Sequence, residues 1–401
     1  MTETTHRGCP VAHTDFTGTT PLYEHYRMLD EDREEARFLF NDTTERGFFM
    51  LQRYDDVREG FQQHETWTTA VRSALRPDVS DEPLLPQDLN GPDHVKLRRI
   101  LNQFFAPAAV RRMEPMAQQR CIELIEELQQ VGSCDFVAEF AIRYPTDMFL
   151  ALLGLPVSDG EQFLEWSDDY FSALLAGDPA RAATAKSSIM SYFDDAVNER
   201  RANPRDPKED MVTRLVEARI DDVPLTQDEI LTICLTLMLA GLDTTRSALG
   251  YIYTHLANNP ADRQALIDDP TLIPKAVEEF LRLYPLVFQA GREVQEPQSF
   301  EDLQLDKGDV VWLGVAQANR DPRKFDNPDQ FDIDRPNANQ HLAFGGGPHR
   351  CLGMHLARLE LKVVLEEWHK RIPEYRVAPG TELRERGVQL SMASLPLEWE
   401  V

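Results

Sequence analysis

The feature that most constrains this chain of 401 residues is a glycine-rich loop with a single cysteine at residues 344–353. Three consecutive glycines cannot form a stable helix or strand, but they permit sharp turns and let a flat group approach the backbone closely. Cys351 follows, and apolar residues at helical spacing begin directly after it. We therefore expect Cys351 at the start of a helix, where the helix dipole, His349 and Arg350 would favour a thiolate.

The loop alone is open to several interpretations. A thiolate at such a loop suits ligation of haem iron. A phosphate-binding loop is excluded because Arg350 stands where the dinucleotide pattern needs glycine. A zinc site remains open, although its spacing is unusual, and its ligands would be His341, His349, Cys351 and His355. A buried structural cysteine, a common fate of free cysteines, also remains open.

Composition indicates one ordinary globular domain. The chain is 42% hydrophobic and 27% charged and has no Gly/Ser-rich linker or internal repeat, so we expect a single domain over residues 1–401. The polar residues 1–20 are expected to be poorly ordered. A net charge of −26 without a basic stripe argues against nucleic acid as a partner.

The cysteines and the apolar runs bear on location. Five scattered cysteines make a disulfide framework improbable and favour a reducing cytoplasm. Residues 1–20 lack the apolar core of a signal peptide. The most apolar run, residues 230–242, is interrupted by threonines and predicts a buried helix, so we expect no membrane anchor.

A long central helix is predicted to begin at a capping box formed by Thr226 and Glu229. Its apolar pattern is interrupted by Gly241, Asp243 and Thr244. Burying Asp243 is costly unless something uses or pairs it, and threonine hydroxyls can bond back to helix carbonyls. Two interpretations remain open, namely a tolerated kink with Asp243 paired to an arginine, and a functional acid–alcohol pair.

Two further pairs share helix faces. His94 and Arg98 are four residues apart and together suit an anionic carboxylate. Glu279 and Arg282 are three residues apart, and as an exposed pair they would contribute only about 0.2–0.5 kcal/mol. Strands are predicted as a hairpin over residues 38–51 and another near the C-terminus, over residues 388–401.

Together these motifs, in this order, resemble the cytochrome P-450 superfamily of haem-thiolate monooxygenases. The loop pattern falls on Phe344, Gly347, His349, Cys351 and Gly353. The resemblance implies a mainly α fold with a smaller β region, in which haem b lies between the long central helix and the helix after the cysteine loop. It implies that Cys351 is the axial ligand of the haem iron.

The resemblance also implies roles for other residues. Asp243 and Thr244 would deliver protons to bound dioxygen, and Glu279, Arg282 and Arg335 would be structural on the cysteine side. Haem contacts would come from His94, Arg98, Arg292, His349, Phe344, Gly345, Gly353, Ala240 and Gly241. Substrate contacts would come from Trp67, Leu85, Val287, Phe288 and Leu395. Arg72 and Arg76 are expected to be solvated charges, with a clamp on a substrate carboxylate as the open alternative.

The expected activity is insertion of one oxygen atom of O2 into a small-to-medium apolar organic substrate, in a soluble protein of the bacterial type. The chain has no dinucleotide motif, so by resemblance electrons would come from a ferredoxin and its NAD(P)H-dependent reductase. The ferredoxin would dock on a basic patch formed by Arg111, Arg112, Arg350, Arg358 and Lys362. The alternatives are a peroxygenase driven by hydrogen peroxide and a non-catalytic haem sensor.

Overall fold

A computed structural model describes residues 5–16, 18–44, 46–69, 84–176, 178–288, 290–386 and 390–401. Helices dominate this part of the chain. They are α1 (Glu24–Glu35), α2 (Tyr54–Gly60), α3 (Gly91–Phe105), α4 (Pro107–Gln129), α5 (Arg143–Leu153), α6 (Gly160–Ala176), α7 (Pro179–Ala202), α8 (Met211–Glu217), α9 (Gln227–Asn258), α10 (Pro260–Asp268), α11 (Ile273–Leu283), α12 (Val315–Asn319) and α13 (Met354–Arg371).

Short strands form the smaller β region. They are β1 (Thr5–His6), β2 (Cys9–Ala12), β3 (Thr19–Pro21), β4 (Phe38–Asn41), β5 (Phe48–Leu51), β6 (Trp67–Thr68), β7 (Ser133–Asp135), β8 (Arg219–Ile220), β9 (Val223–Pro224), β10 (Ala290–Val294), β11 (Gln298–Phe300), β12 (Leu303–Leu305), β13 (Val310–Leu313), β14 (Arg376–Val377), β15 (Arg384–Arg386), β16 (Ser391–Met392) and β17 (Pro396–Glu398). The main sheet has the strand order β1-β2-β4-β5-β13-β10-β6.

The predicted hairpin over residues 38–51 is present. β4 and β5 pair antiparallel with Phe40 opposite Phe49. Apolar residues on neighbouring strands of the sheet pack into a second core, which is separate from the main helical one. Cross-strand aromatic contacts of this kind stabilise short strands that are weak by themselves.

Helix α9 is the central element of the main core. It begins at the predicted capping box, because the Thr226 side chain accepts from the backbone of Glu229 and the Glu229 carboxylate accepts from the backbone of Thr226. Among the described residues α9 alone is long and apolar enough to cross a membrane. Of its most apolar stretch 67% is buried inside the fold, as in the core helix of a globular protein.

Two expectations differ from the structure. Within residues 1–20, expected to be poorly ordered, β1 and β2 extend the main sheet and β3 pairs with β15. The predicted C-terminal hairpin is wrong, because β16 pairs with β15 whereas β17 pairs with β14 and β7. In both cases one strand pairs with a partner far away in sequence, β3 with β15 and β17 with β7, which local patterns do not reveal. Arg72 and Arg76 lie outside the described residues.

Candidate functional site

The glycine loop is shaped by close packing on Phe61, at the end of α2. Gly345 and Gly347 have φ angles of +65° and +62°, which disfavour residues with a side chain. A Cβ atom at Gly347 would lie 2.3 Å from the Phe61 carbonyl oxygen, and one at Gly346 would lie 3.0 Å from the Phe61 side chain. The loop therefore needs glycine to pass over Phe61 and present Cys351 at the start of α13.

Cys351 is fixed by its backbone and has one open side. Its N–H donates to the Phe344 carbonyl at 2.8 Å. Burial raises the pKa of the thiol, while the N–H of Gly353 and the cations Arg98, Arg358 and Arg350 act to lower it. The residue is nevertheless exposed, and a Cβ atom at Gly353 would meet nothing within 4 Å. The sulfur thus lies deep among protein atoms with one face free for a ligand.

The middle of α9 also has an open face. Ala240 is exposed although most of the preceding turns are buried, and Gly241 and Thr244 are partly exposed. The Thr244 hydroxyl donates to the Ala240 carbonyl at 2.8 Å, which is the predicted back-bonding. Next to Thr244, Thr245 hydrogen-bonds to Glu360 of α13. The helix after Cys351 therefore meets α9 beside the acid–alcohol pair.

Asp243 has a partner on its own helix. The Arg246 guanidinium, three residues on, donates to Oδ1 of Asp243, and the side chains of Arg246 and Asp243 are 10% and 12% exposed. Arg386, at the end of β15, interacts electrostatically with both. The open alternative of an arginine pair is thus present in the structure. Arg246 was not singled out from the sequence, although its i, i+3 spacing could have identified it.

A group of four basic side chains, here called the cationic group, surrounds the loop: His94, Arg98, Arg292 and His349. The rings of His94 and His349 stack with centroids 4.0 Å apart, and Arg98 donates to the Arg350 carbonyl at 2.7 Å. Burial, reinforced by neighbouring cations, lowers the pKa of His94 to about 4 and that of His349 to about 3. Burial also lowers the pKa of Arg292 to about 10.

The cationic group lacks an acidic partner. No Asp or Glu of the described ranges influences any of the four side chains. Buried charges are normally paired, so Arg98 and Arg292 suit an anionic ligand from outside the chain, to which the neutral rings of His94 and His349 can add N–H donors. Two arginines and two histidines beside an open cysteine sulfur fit a haem that carries two carboxylates. Phe344 and Gly345, which are also predicted to contact the haem, belong to the glycine loop that carries Cys351.

The residues predicted to be structural on the cysteine side are in contact. Arg282 donates to Glu279 at 2.7 and 2.8 Å, and Arg335 donates to the same carboxylate at 3.0 and 3.1 Å. Glu279 and Arg282 are fully buried and Arg335 is 8% exposed. The remaining guanidinium N–H groups donate to backbone carbonyls, among them those of Pro328 and Asp326. Unlike the cationic group, this cluster needs nothing from outside.

Three of the five predicted substrate contacts are packed inside the protein. Trp67 lies in β6, is fully buried and packs on Phe300 with ring centroids 5.2 Å apart. Phe288 is fully buried against Phe16 and Trp312. Leu395 is fully buried too. For Trp67 the cause is the pairing of β6 with β10, which lies more than two hundred residues further along the chain.

The other two candidates, Leu85 and Val287, are partly exposed and remain available to a substrate. Their contact with a substrate stays a prediction.

The zinc alternative has no support among the described residues, where no three side chains of His, Cys, Asp or Glu converge to hold a metal ion. His341 contacts Glu278 at 3.3 Å, and His349 stacks on His94. His341 and His349 are thus engaged with different partners, away from a shared metal site. The remaining alternative, a buried structural cysteine, does not suit Cys351 because it is the one exposed residue of five free cysteines.

The predicted basic patch is only partly free. Arg358 makes two hydrogen bonds to Glu278 at 2.6 and 2.8 Å, and Lys362 bonds to Glu114 at 2.8 Å. Arg111, Arg112 and Arg350 are exposed. A groove of about 330 Å³ lies between α4, α11 and α13 and is lined in part by Arg111, Arg358 and Lys362.

A mainly helical fold, a lone cysteine presented by a glycine loop and cations without acids together define a haem-thiolate class of protein. A family model described as Cytochrome P450 matches residues 162–270 and 262–371. The chain therefore belongs to the cytochrome P450 family. As a member of the P450 monooxygenase family it has haem as its cofactor.

Relatives agree over most of the chain. A probable cytochrome P450 127A1 of Sinorhizobium fredii is 33% identical over 88% of this chain and 84% of its own length. A mycinamicin IV hydroxylase/epoxidase of Micromonospora griseorubida is 33% identical over 88% and 89%. The crystal structure of CYP101J2 superposes with a TM-score of 0.86 at 30% identity and covers 99% of this chain and 100% of that one. The predicted family and mainly helical fold are thus confirmed.

Proposed function

We propose that this P450 hydroxylates an apolar organic molecule of small to medium size, with O2 and with electrons from a separate ferredoxin. The observation that carries the proposal is the exposed Cys351 at the end of the glycine loop, whose thiol is influenced by Arg98, Arg350 and Arg358 and by no acid among the described residues. When bound there, haem b supplies the redox chemistry of oxygen activation. Cys351 would hold its iron, and Arg98, Arg292, His94 and His349 would hold its carboxylates.

The middle of α9 would supply protons. Thr244 keeps its hydroxyl on the open face while bonding to the Ala240 carbonyl, so the hydroxyl oxygen remains able to accept a hydrogen bond. Asp243, one residue away, is paired with Arg246 and keeps 12% of its side chain exposed. An acid held by an ion pair and an alcohol at the open face can pass a proton inward without opening the site to bulk solvent. Gly241 and Ala240 leave room beside them for a flat cofactor.

The substrate is proposed to be a natural product with a largely apolar surface. One relative is named a hydroxylase/epoxidase of mycinamicin IV, and a solved structure of P450 EryK, 31% identical with a TM-score of 0.81, holds erythromycin B. Leu85 and Val287, both partly exposed, are the proposed apolar contacts in this chain. Their aliphatic side chains would favour hydrocarbon portions of the substrate over charged groups.

The electron donor is proposed to dock on the exposed cations Arg111, Arg112 and Arg350, which lie on the side of the molecule that carries the cysteine loop. An acidic ferredoxin would be steered to them by charge. Arg358 and Lys362 are less suited to this role because Glu278 and Glu114 already neutralise them. The ferredoxin would be supplied with electrons by an NAD(P)H-dependent reductase, and the system would operate in the cytoplasm, where the five free thiols stay reduced.

The experiment that tests the proposal uses the wild type and two variants. We expect the dithionite-reduced wild type with carbon monoxide to show the long-wavelength Soret band typical of thiolate ligation, and Cys351→Ala to lose it. With ferredoxin, its reductase, NAD(P)H and O2, we expect product from a panel of macrolides, terpenoids and fatty acids. Thr244→Ala should keep the Soret band and lose most of the product formed per NAD(P)H.

Other outcomes would change the assignment. A Soret band that survives in Cys351→Ala would remove the proposed ligand. Turnover with hydrogen peroxide but none with the redox proteins would make the protein a peroxygenase. Product yield per NAD(P)H unchanged in Thr244→Ala would contradict the proton-delivery role.

A further inference from the structure

Four tyrosines cluster where α1, α9 and α11 meet: Tyr23, Tyr26, Tyr251 and Tyr284. The rings of Tyr251 and Tyr284 stack with centroids 5.6 Å apart, and Tyr23 stacks on Tyr284 at the same distance. Tyr26 packs edge-on against Tyr251 at 5.9 Å. Tyr26, Tyr251 and Tyr284 are buried. The rings therefore form one continuous aromatic path inside the core.

The path begins near the oxygen-activating site. Tyr251 follows Thr244 by seven residues on α9, which is two helical turns or about 10 Å along one helix face. The Tyr251 hydroxyl donates to the buried carboxylate of Glu385 at 2.5 Å. Burial raises the pKa of both Tyr251 and Tyr284 well above the ordinary value, so both rings keep their protons in the resting protein.

The path continues into a proton route that reaches the surface. Tyr284 Oη lies 2.9 Å from Nδ1 of His255, and Nε2 of His255 lies 2.8 Å from Oδ2 of Asp262. Asp262 is 35% exposed. Because the aspartate accepts the proton on Nε2, Nδ1 is left to accept from the tyrosine. Burial lowers the pKa of His255, which favours the neutral ring that this arrangement needs.

We propose that Tyr251 and Tyr284 form a relay that removes oxidising equivalents from the haem site when no substrate is in place, with His255 and Asp262 taking the phenolic proton. The proposal rests on the proposed function, since oxidised haem is the oxidant. One electron leaves the Tyr284 ring and reaches the oxidised haem through Tyr251. The phenolic proton moves to Nδ1 of His255 while the proton on Nε2 moves to Asp262 and then to water.

The relay then returns to its starting state. Loss of one electron and one proton leaves Tyr284 as a neutral radical. A one-electron reductant in solution, such as ascorbate or reduced ferredoxin, restores the phenol by giving one electron, and water returns the proton by the same route. The chain thereby survives an oxidation that would otherwise fall on the haem or on the residues around it.

Packing alone does not account for these hydroxyl groups. Phenylalanine would fill the same space, and each buried hydroxyl must find a hydrogen-bond partner. Tyr144 provides the contrast, because it is fully buried but its hydroxyl has no partner among the described residues. An oxidised Tyr144 could not release its proton. Tyr144→Phe is therefore a matched control for Tyr284→Phe.

The test is electron paramagnetic resonance of the haem-loaded protein, frozen after rapid mixing with peracetic acid in the absence of substrate. We expect a tyrosyl radical in the wild type, identified by narrowing of its signal when the rings are deuterated. Tyr284→Phe should lower the signal at least fivefold and bleach the haem several times faster, and Tyr144→Phe should do neither. His255→Gln, which keeps Tyr284 and removes its proton acceptor, should also lower the signal.

The carbon monoxide spectrum of each sample separates this proposal from the previous one. If the thiolate band is present but the radical signal is the same in Tyr284→Phe and wild type, the relay is overturned and the proposed function stands. If the wild type shows no thiolate band, the proposed function fails, and the relay fails with it because its oxidant is absent. A signal lost equally in Tyr144→Phe would also overturn the relay.

Discussion

Two sets of buried charges on this protein differ in where their partners come from. Glu279, Arg282 and Arg335 satisfy one another and nearby backbone carbonyls. Arg292 and its neighbours in the cationic group have no acidic partner within the described residues. The contacts within the first set are enough to account for it as a structural cluster. Burying the second set without counter-charges costs folding free energy unless a ligand supplies the anions. The second set therefore indicates a binding site.

The largest pH effect is expected from Glu360, a buried carboxyl group that hydrogen-bonds to Thr245. Burial raises its pKa from 4.5 to about 8. Between these values the folded chain holds a proton that the unfolded chain has lost, so the free energy of unfolding falls as pH rises. At 1.36 kcal/mol per unit the upper limit is about 5 kcal/mol.

Glu360→Gln tests this pH dependence of stability, because glutamine stays neutral at every pH. We expect urea unfolding between pH 5 and pH 8 to show the wild type losing stability relative to Glu360→Gln, with the difference levelling off above pH 8. Parallel curves for the two proteins would show that Glu360 is ionised in the fold and owes its burial to a partner.

The next effect concerns the paired set. Glu279→Gln keeps the shape of the side chain but leaves Arg282 and Arg335 buried without a counter-charge. Breaking a buried ion pair from one side destabilises a protein by about 3–5 kcal/mol, and we expect a loss of this size in urea unfolding. Glu24→Gln is the control, because Glu24 pairs with Arg27 at the surface and should leave stability unchanged. Equal, small effects would contradict a structural role for Glu279.

The sequence predicts the structure best where a local pattern of residues is compatible with only one arrangement. The capping box at Thr226, the hairpin over residues 38–51 and the open cysteine after a glycine loop depend on neighbours in the chain. The family itself followed from such motifs. Trp67 lies in a core and not at an open face, because its environment is set by β10, more than two hundred residues away. Phe61, which requires the loop glycines, carries no motif and could not be identified from sequence.

For the same reason, the sequence predicts only some of the charged residues of the site and their partners. His94 and Arg98 share a helix face, so their spacing alone suggests a joint ligand. The sequence leaves open whether Asp243 bonds to Arg246, although both lie on one helix. Within the described residues, the absence of acids around Arg292 is a property of the folded protein, since Phe61, Val311 and His349 reach it from other segments of the chain. A sequence shows which charges are present, and only the fold shows which of them are paired.

The smallest expected effect tests most directly whether the cationic group is a ligand site. Arg292→Met removes a cation that is 7% exposed and whose one described hydrogen bond goes to the Gly291 carbonyl at 2.8 Å. Since a hydrogen bond to a charged group is worth about 1.5–3 kcal/mol, we expect haem to transfer to apomyoglobin at least tenfold faster. The melting temperature of the haem-free protein, followed by circular dichroism, should stay the same or rise, because an unpaired buried charge has been removed.

Arg282→Met is the matched control, with the same substitution in the paired set. It should lower the melting temperature of the haem-free protein, because Glu279 then loses a partner inside the core. If Arg292→Met lowers that temperature as much as Arg282→Met does, Arg292 is structural and the cationic group is not a ligand site. If only haem transfer changes, the two sets of charges differ as their surroundings indicate, one holding the protein together and the other holding its cofactor.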